Sequence, residues 1–145
     1  MPIERSAGAI IFKKNKDVKY LLLHYPSNSK AKKDYWDLPK GHIEKNEDEK
    51  ETVLREVEEE TGLKDVRFVE GFREFIKYFF KFRGKTIFKT VVFYLAETKT
   101  EEIKISKEHI GYKWLQYKEA LRQLTFNNAK EILKKANNYV ASKLK

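Results

Sequence analysis

Five stretches rich in hydrophobic residues, the longer ones alternating with polar positions, predict β-strands. The stretches are residues 7–13, 18–25, 66–82, 86–96 and 112–115. The first two flank the polar turn 14–17, and the next two flank Arg83-Gly84-Lys85, so we expect two hairpins, of which the second is longer.

An early helix is predicted over residues 47–61. Asn46, followed three residues later by Glu49, matches an N-terminal capping pair, and Gly62 stands where a helix would end in a left-handed residue. We expect the inward face of this helix to carry Val53, Leu54 and Val57.

A late helical region is expected from Tyr117 onwards, because apolar residues recur there at helical spacing. They are Ala129, Ile132, Leu133, Ala136 and Val140. Strands that are interrupted by one early helix and closed by a late one are typical of an α/β fold, an α/β/α sandwich around a mixed β-sheet. The length and the 41% hydrophobic content suit a single domain, residues 1–145.

The early helix carries the residues with the clearest chemistry. Glu56, Glu59 and Glu60 are three and four positions apart, so their carboxylates gather on one helix face. Three like charges repel one another unless a cation neutralises them. Mg²⁺ or Mn²⁺ would suit these oxygen ligands and would keep waters that a phosphate can displace. The pattern therefore points to metal-dependent phosphate chemistry.

The whole segment 41–63 resembles the box of the Nudix hydrolase family. Every specified position of that box is filled here, by Gly41, Glu47, Arg55, Glu56, Val57, Glu59, Glu60, Gly62 and Leu63. A solvated acidic surface helix would supply the glutamates, but it would not supply both glycines and the arginine at these offsets. The resemblance implies a Nudix-type sandwich with a loop-helix-loop metal site.

Further matches resemble one group of this family, the asymmetrical diadenosine tetraphosphate hydrolases. The matching segments are residues 36–42, 88–97, 106–109 and 112–115, and with the box they extend over most of the chain. Tyr35 departs from the group, which has histidine directly before the tryptophan of the first segment.

The resemblance implies a role for several residues. Glu56, Glu59 and Glu60 would bind the metal, and Glu108 would be a further ligand or the general base. We expect Arg55 to hold Glu47 or a metal-binding glutamate in place, because a guanidinium can clamp a carboxylate with two hydrogen bonds.

The same resemblance implies a nucleotide site. Lys40 and Lys89 would contact phosphates, while Tyr78 and Phe126 would stack on the adenine. From the residues alone, Tyr78 is equally well explained as an ordinary strand residue, and Phe126 is better explained as a core residue. His24, His42 and His109 are not assigned to catalysis.

The net charge of +9 is distributed unevenly. Residues 44–60 contain nine acidic and three basic residues, so the rest of the chain is strongly basic. This pattern fits an acidic metal site with a basic rim that attracts polyphosphate. The candidates for the rim are Lys30, Lys32, Lys33, Lys40, Lys77, Lys81, Arg83, Lys85 and Lys89, although ordinary solvated lysines would explain most of them individually.

The composition limits the chemistry that the chain can use and the cellular compartment in which we expect it. The chain has no cysteine, which excludes disulfides and thiolate catalysis, and it has neither an apolar stretch long enough to span a membrane nor an N-terminal signal. We expect a soluble cytoplasmic protein, either a monomer or a homodimer.

The resemblance implies cleavage of diadenosine tetraphosphate to ATP and AMP, which we expect to proceed by attack of a metal-activated water. The alternatives within the family are ADP-ribose, nucleoside triphosphates and the 5′ triphosphate of RNA. A non-catalytic nucleotide-binding module would not need every carboxylate of the box. A protein that binds RNA mainly through its positive charge would have a contiguous basic and aromatic surface.

Overall fold

The structure is a computed structural model, and it describes residues 2–27 and 33–143. In those residues the elements are β1 (Ile3–Lys14), β2 (Val18–Tyr25), β3 (Tyr35–Asp37), β4 (Lys40–His42), α1 (Glu49–Thr61), β5 (Arg67–Phe82), β6 (Lys85–Glu97), β7 (Gly111–Leu115), α2 (Tyr117–Gln123) and α3 (Asn127–Lys143). None of these helices has the length and hydropathy of a membrane span.

The strands form one mixed sheet in the order β3-β2-β1-β6-β5, with β4 paired to β1 and β7 paired to β2. The pairs β1/β2 and β5/β6 are antiparallel, which confirms both predicted hairpins. The strand β1 begins at Ile3, four residues earlier than predicted, because its first residues pair in parallel with β6 from Phe88 onwards.

Helices cover both faces of the sheet, which confirms the α/β/α sandwich. The side chains of Ile10 and Phe12 pack on the face covered by α2 and α3, whereas those of Ala9 and Ile11 pack on the face covered by α1. The five apolar residues predicted to form the inward stripe of the late helix are all buried. The late helical region is divided in two, because the backbone leaves the helical conformation at Leu124.

The predicted start of the early helix was wrong by two residues. Asp48 is the N-cap, and it forms a reciprocal capping box with Glu51. Asn46 has a φ angle of 69° and lies in the turn before the helix. The predicted end was right, since Gly62 adopts the left-handed conformation with a φ angle of 77°.

One of the three residues predicted to face the core does not do so. Val53 and Val57 are buried against the sheet, whereas Leu54 is 44% exposed. Val53, Val57 and Glu60 form one buried stripe of α1. Successive residues of a helix are about 100° apart around its axis, so Leu54 lies beside this stripe. The buried stripe therefore ends in a carboxylate of the box.

Candidate active site

Arg55 clamps Glu47, as expected. Its Nε donates to Glu47 Oε2 at 2.6 Å, its Nη2 donates to Glu47 Oε1 at 3.0 Å, and Nη2 also donates to the carbonyl of His42 at 3.0 Å. These bonds lower the pKa of Glu47 to about 2, with the hydrogen bond from Arg55 as the largest cause. Through Arg55, the clamp joins the middle of α1 to the loop before it and to the end of β4.

The remaining Nη1 of Arg55 lies between two further carboxylates. It donates to Glu56 Oε1 at 2.6 Å and to Glu59 Oε1 at 3.4 Å. Burial raises the pKa of Glu56, and the charges of Glu60 and Glu59 add to this effect while Arg55 opposes it. The Glu56 carboxylate also explains why position 41 is a glycine, because a Cβ atom there would overlap this carboxylate.

The carboxylate of Glu60 is nearly buried, with 8% of its side chain exposed. Its Oε1 accepts the backbone N–H of Lys40 at 3.0 Å, and its Oε2 accepts the Tyr25 hydroxyl at 3.4 Å. Nε2 of His109 is 3.1 Å from Oε2 but outside the angular range of a hydrogen bond. Burial, followed by the charge of Glu60, raises the pKa of Tyr25 well above its usual value.

Within the described part of the chain, no group of three or more acidic or histidine side chains is arranged to hold a metal ion as it stands. Glu56 and Glu59 contact Arg55, whereas Glu60 contacts Tyr25 and the backbone of Lys40. The donor set nevertheless fits a hard divalent cation, since it consists of carboxylate oxygens and one guanidinium cannot neutralise them all.

A cavity of about 760 Å³ lies on the face of the sheet covered by α2 and α3. It brings together all four residues predicted to bind the nucleotide, which are Lys40, Tyr78, Lys89 and Phe126. Tyr78 and Lys89 are directly paired across β5 and β6, which places them on the same face. A volume of this size is typical of small-molecule sites.

The two lysines of the cavity differ in their electrostatic surroundings. Burial alone would lower the pKa of Lys40, but Asp37, whose Oδ2 is 3.1 Å from Lys40 Nζ, raises it overall. The pKa of Lys89 is lowered, first by burial and then by the charge of Lys40. An anion in the cavity would relieve this repulsion.

Aromatic rings form the wall of the cavity near β3. Tyr35 stacks on Tyr25 with ring centroids 5.1 Å apart, and its ring is 5.3 Å from that of Phe126. Phe126 is 47% exposed, so the interpretation of this residue as part of the core was wrong. Tyr35, where the chain departs from the diadenosine tetraphosphate hydrolases, therefore contributes a ring to the cavity.

The sequence profile of the NUDIX domain matches residues 2–136. The chain belongs to the NUDIX family. It is 34% identical to the asymmetrical bis(5′-nucleosyl)-tetraphosphatase of Mus musculus and 32% identical to that of Sus scrofa, in each case over 95% of this chain and 96% of the relative. A structure of a Caenorhabditis elegans Ap4A hydrolase binary complex superposes with a TM-score of 0.80 at 26% identity, covering 96% of this chain and 98% of that one.

This NUDIX protein is a pyrophosphohydrolase homologous to the asymmetrical tetraphosphatases. NUDIX hydrolases generally need a divalent metal ion. The family therefore supplies a reason for the excess of carboxylates around Arg55.

Sequence reasoning missed the residues that pack around Glu60 in this NUDIX fold. His109 is buried, and its Nδ1 is 2.7 Å from Ser106 Oγ, which also accepts the backbone N–H of Glu108 at 3.2 Å. Glu108 itself is exposed and directly precedes the histidine that approaches Glu60. The segment 106–109 was noted in the sequence, but only the fold brings it to Tyr25 and Glu60.

The predicted basic rim is only partly present around the NUDIX cavity. Lys33, Lys40 and Lys89 line it. The other described members of the rim lie elsewhere on the β5/β6 hairpin, on the opposite face or near its turn: Lys77, Lys81, Arg83 and Lys85. Lys30 and Lys32 lie outside the described residues.

Proposed function

We propose that this NUDIX hydrolase cleaves dinucleoside polyphosphates, and in particular diadenosine tetraphosphate, to ATP and AMP. One observation carries the proposal: Lys40 belongs to both regions of the site. Its side chain lines the cavity, and its backbone N–H donates to Glu60 of the box at 3.0 Å. A polyphosphate held by the cavity would thus extend directly to the carboxylates.

The proposed metal ligands are Glu56, Glu59 and Glu60, with Glu108 as a fourth ligand or as the general base. Mg²⁺ or Mn²⁺ bound there would lower the pKa of a water molecule and stabilise the charge on the phosphates. Arg55 keeps the helix carboxylates in place through its bonds to Glu47 and Glu56.

The remaining residues bind and orient the substrate. Tyr78 and Phe126 hold one adenine by stacking, which needs no base-specific hydrogen bonds. Lys40 and Lys89 bind phosphate oxygens and stabilise the departing nucleotide. One carboxylate of the acidic group takes the proton of the attacking water, and the water attacks a single phosphorus in line.

The direct test is product analysis. The pure protein is incubated with diadenosine tetraphosphate and Mg²⁺, and the nucleotides are separated by ion-exchange chromatography. Equal amounts of ATP and AMP are expected. Intact substrate, or ADP as the only product, would overturn the proposal, and ADP-ribose, nucleoside triphosphates and RNA with a 5′ triphosphate would be tried next. Tight binding without turnover of any of them would indicate a binding module.

A further inference from the structure

The β5/β6 hairpin carries exposed aromatic and basic side chains on the face opposite the cavity. One row of side chains crosses three strands in register: Ile3 on β1, Phe88 on β6 and Phe79 on β5. Ile3 is 67% and Phe79 is 61% exposed, and the rings of Phe79 and Phe88 are 4.9 Å apart. Exposed aromatic residues in contact with one another are unusual on a protein surface that has no ligand.

A polar row lies directly beside the aromatic one. It consists of Arg5, Thr90 and Lys77, which are likewise paired across β1, β6 and β5. Because residues two apart on a strand share a face, the two rows are about 7 Å apart. We call these two rows, with their six residues, the hairpin platform.

The hairpin that carries the platform is strongly basic. The segment 75–96 contains Lys77, Lys81, Arg83, Lys85 and Lys89 and no aspartate or glutamate. Glu49, which lies beside Arg5, Lys77 and Thr90, pairs with Arg73 and Arg5. The combination of basic and aromatic side chains favours a partner that is an anion and also offers flat apolar groups.

We propose that the hairpin platform binds single-stranded nucleic acid. Bases stack on Phe79 and Phe88, and the phosphates of the same strand lie along Lys77 and Arg5. Stacking on aromatic rings beside a basic track is how proteins hold single strands without sequence preference. The spacing of the two rows suits a base and its own phosphate.

Two other occupants fit the hairpin platform less well. A second copy of the chain, docked face to face, would bring like charges together from both copies. A lipid surface would be met by an apolar tip without charge, whereas here the rings and Ile3 form a row across three strands beside Arg5 and Lys77. Both occupants are outcomes of the test below.

The test measures binding of a short fluorescein-labelled oligothymidylate by fluorescence anisotropy at several salt concentrations. Phe79→Ala is expected to weaken binding at least about fivefold. Lys77→Gln is expected to weaken binding and to reduce the slope of log K against log salt by about 0.7. Two matched controls are expected to bind like the wild type. Tyr112→Ala removes an exposed aromatic ring on β7, and Lys118→Gln removes the charge of an exposed lysine on α2.

Hydrolysis of diadenosine tetraphosphate gives an independent readout of folding. Phe79 is exposed and lies on the face away from Tyr78, so Phe79→Ala should hydrolyse the substrate normally. The proposal is overturned if the wild type does not bind the oligonucleotide, or if Phe79→Ala and Lys77→Gln bind it as tightly as the controls. It is also overturned if these substitutions abolish only binding to phosphatidylserine vesicles, or only self-association in sedimentation.

Discussion

The carboxylate site and the cavity are built in opposite ways. The carboxylates of the box come from one short segment, residues 47–60, and three of them, Glu47, Glu56 and Glu59, contact Arg55. The cavity is assembled from four separate segments, near residues 33–40, 76–78, 89–93 and 125–129. The proposed catalytic residues of the box are therefore local in sequence, whereas the proposed substrate-binding cavity depends on tertiary structure.

The two regions also differ in the sign of their uncompensated charge. Burial and neighbouring glutamates raise the pKa of Glu56, and burial and a neighbouring lysine lower the pKa of Lys89. Each shift arises chiefly from burial, and like-charged neighbours add to it. A cation in the first region and an anion in the second would relieve this repulsion, and the proposed metal-bound polyphosphate would supply both.

The largest effect is expected in the carboxylate region. Glu59→Gln should lower kcat by at least about 100-fold, because it replaces a charged oxygen by a neutral amide of the same shape. Glu59 is an exposed residue of α1, so the melting temperature should stay near that of the wild type. Steady-state hydrolysis and thermal unfolding check this. The control is Glu58→Gln, the exposed neighbour on the same helix, and near-normal turnover in Glu59→Gln would refute its catalytic role.

A substitution in the cavity should change a different parameter. Tyr78→Ala is expected to raise KM about 5- to 30-fold with kcat nearly unchanged, since stacking of a base on a ring contributes about 1–2 kcal/mol to binding. Tyr78→Phe keeps the ring and should retain the KM of the wild type. If both variants instead lost kcat equally, the ring would not be a binding element and the contrast between the two regions would disappear.

The pH dependence of substrate binding should report on Lys89. Its pKa lies below the ordinary lysine value of 10.5, so the protonated form that we propose to bind phosphate is lost as the pH rises through that lowered pKa. KM should therefore begin to rise at a lower alkaline pH than it would with a lysine of ordinary pKa. Arginine stays protonated throughout this range, so Lys89→Arg should remove this rise. An unchanged profile in Lys89→Arg would assign the titration to another group.

The smallest effect concerns stability in acid. The pKa of Glu47 falls from 4.5 to about 2 in the folded protein, so its ion pair with Arg55 stabilises the fold fully above about pH 4.5. This contribution is lost as the pH falls through about 2. Glu47→Gln should thus have a slightly lower melting temperature than the wild type near neutral pH. In thermal unfolding the difference should shrink steadily below about pH 4.5; a constant difference would mean that the clamp acts through packing rather than charge.

The accuracy of the sequence-based predictions depended on how local each feature is. The hairpins and the late apolar stripe were correct, because strand and helix periodicities are properties of neighbouring residues. The cap was assigned to Asn46 instead of Asp48, since both residues precede a glutamate by three positions and only the backbone angles distinguish them. Leu54 and Phe126 were misplaced because hydrophobicity alone does not determine which side chain the core has room to bury.

By itself, the sequence determined the family, the acidic helix and the clamp between Arg55 and Glu47, because all their parts lie within one helix and its flanking loops. Only the tertiary structure decided that Tyr78, Lys89 and Phe126 share a cavity and that His109 reaches Glu60. Strand register and the packing of α3 bring these residues together across long stretches of chain. No local pattern encodes such distances, since they are set by the burial of the whole core.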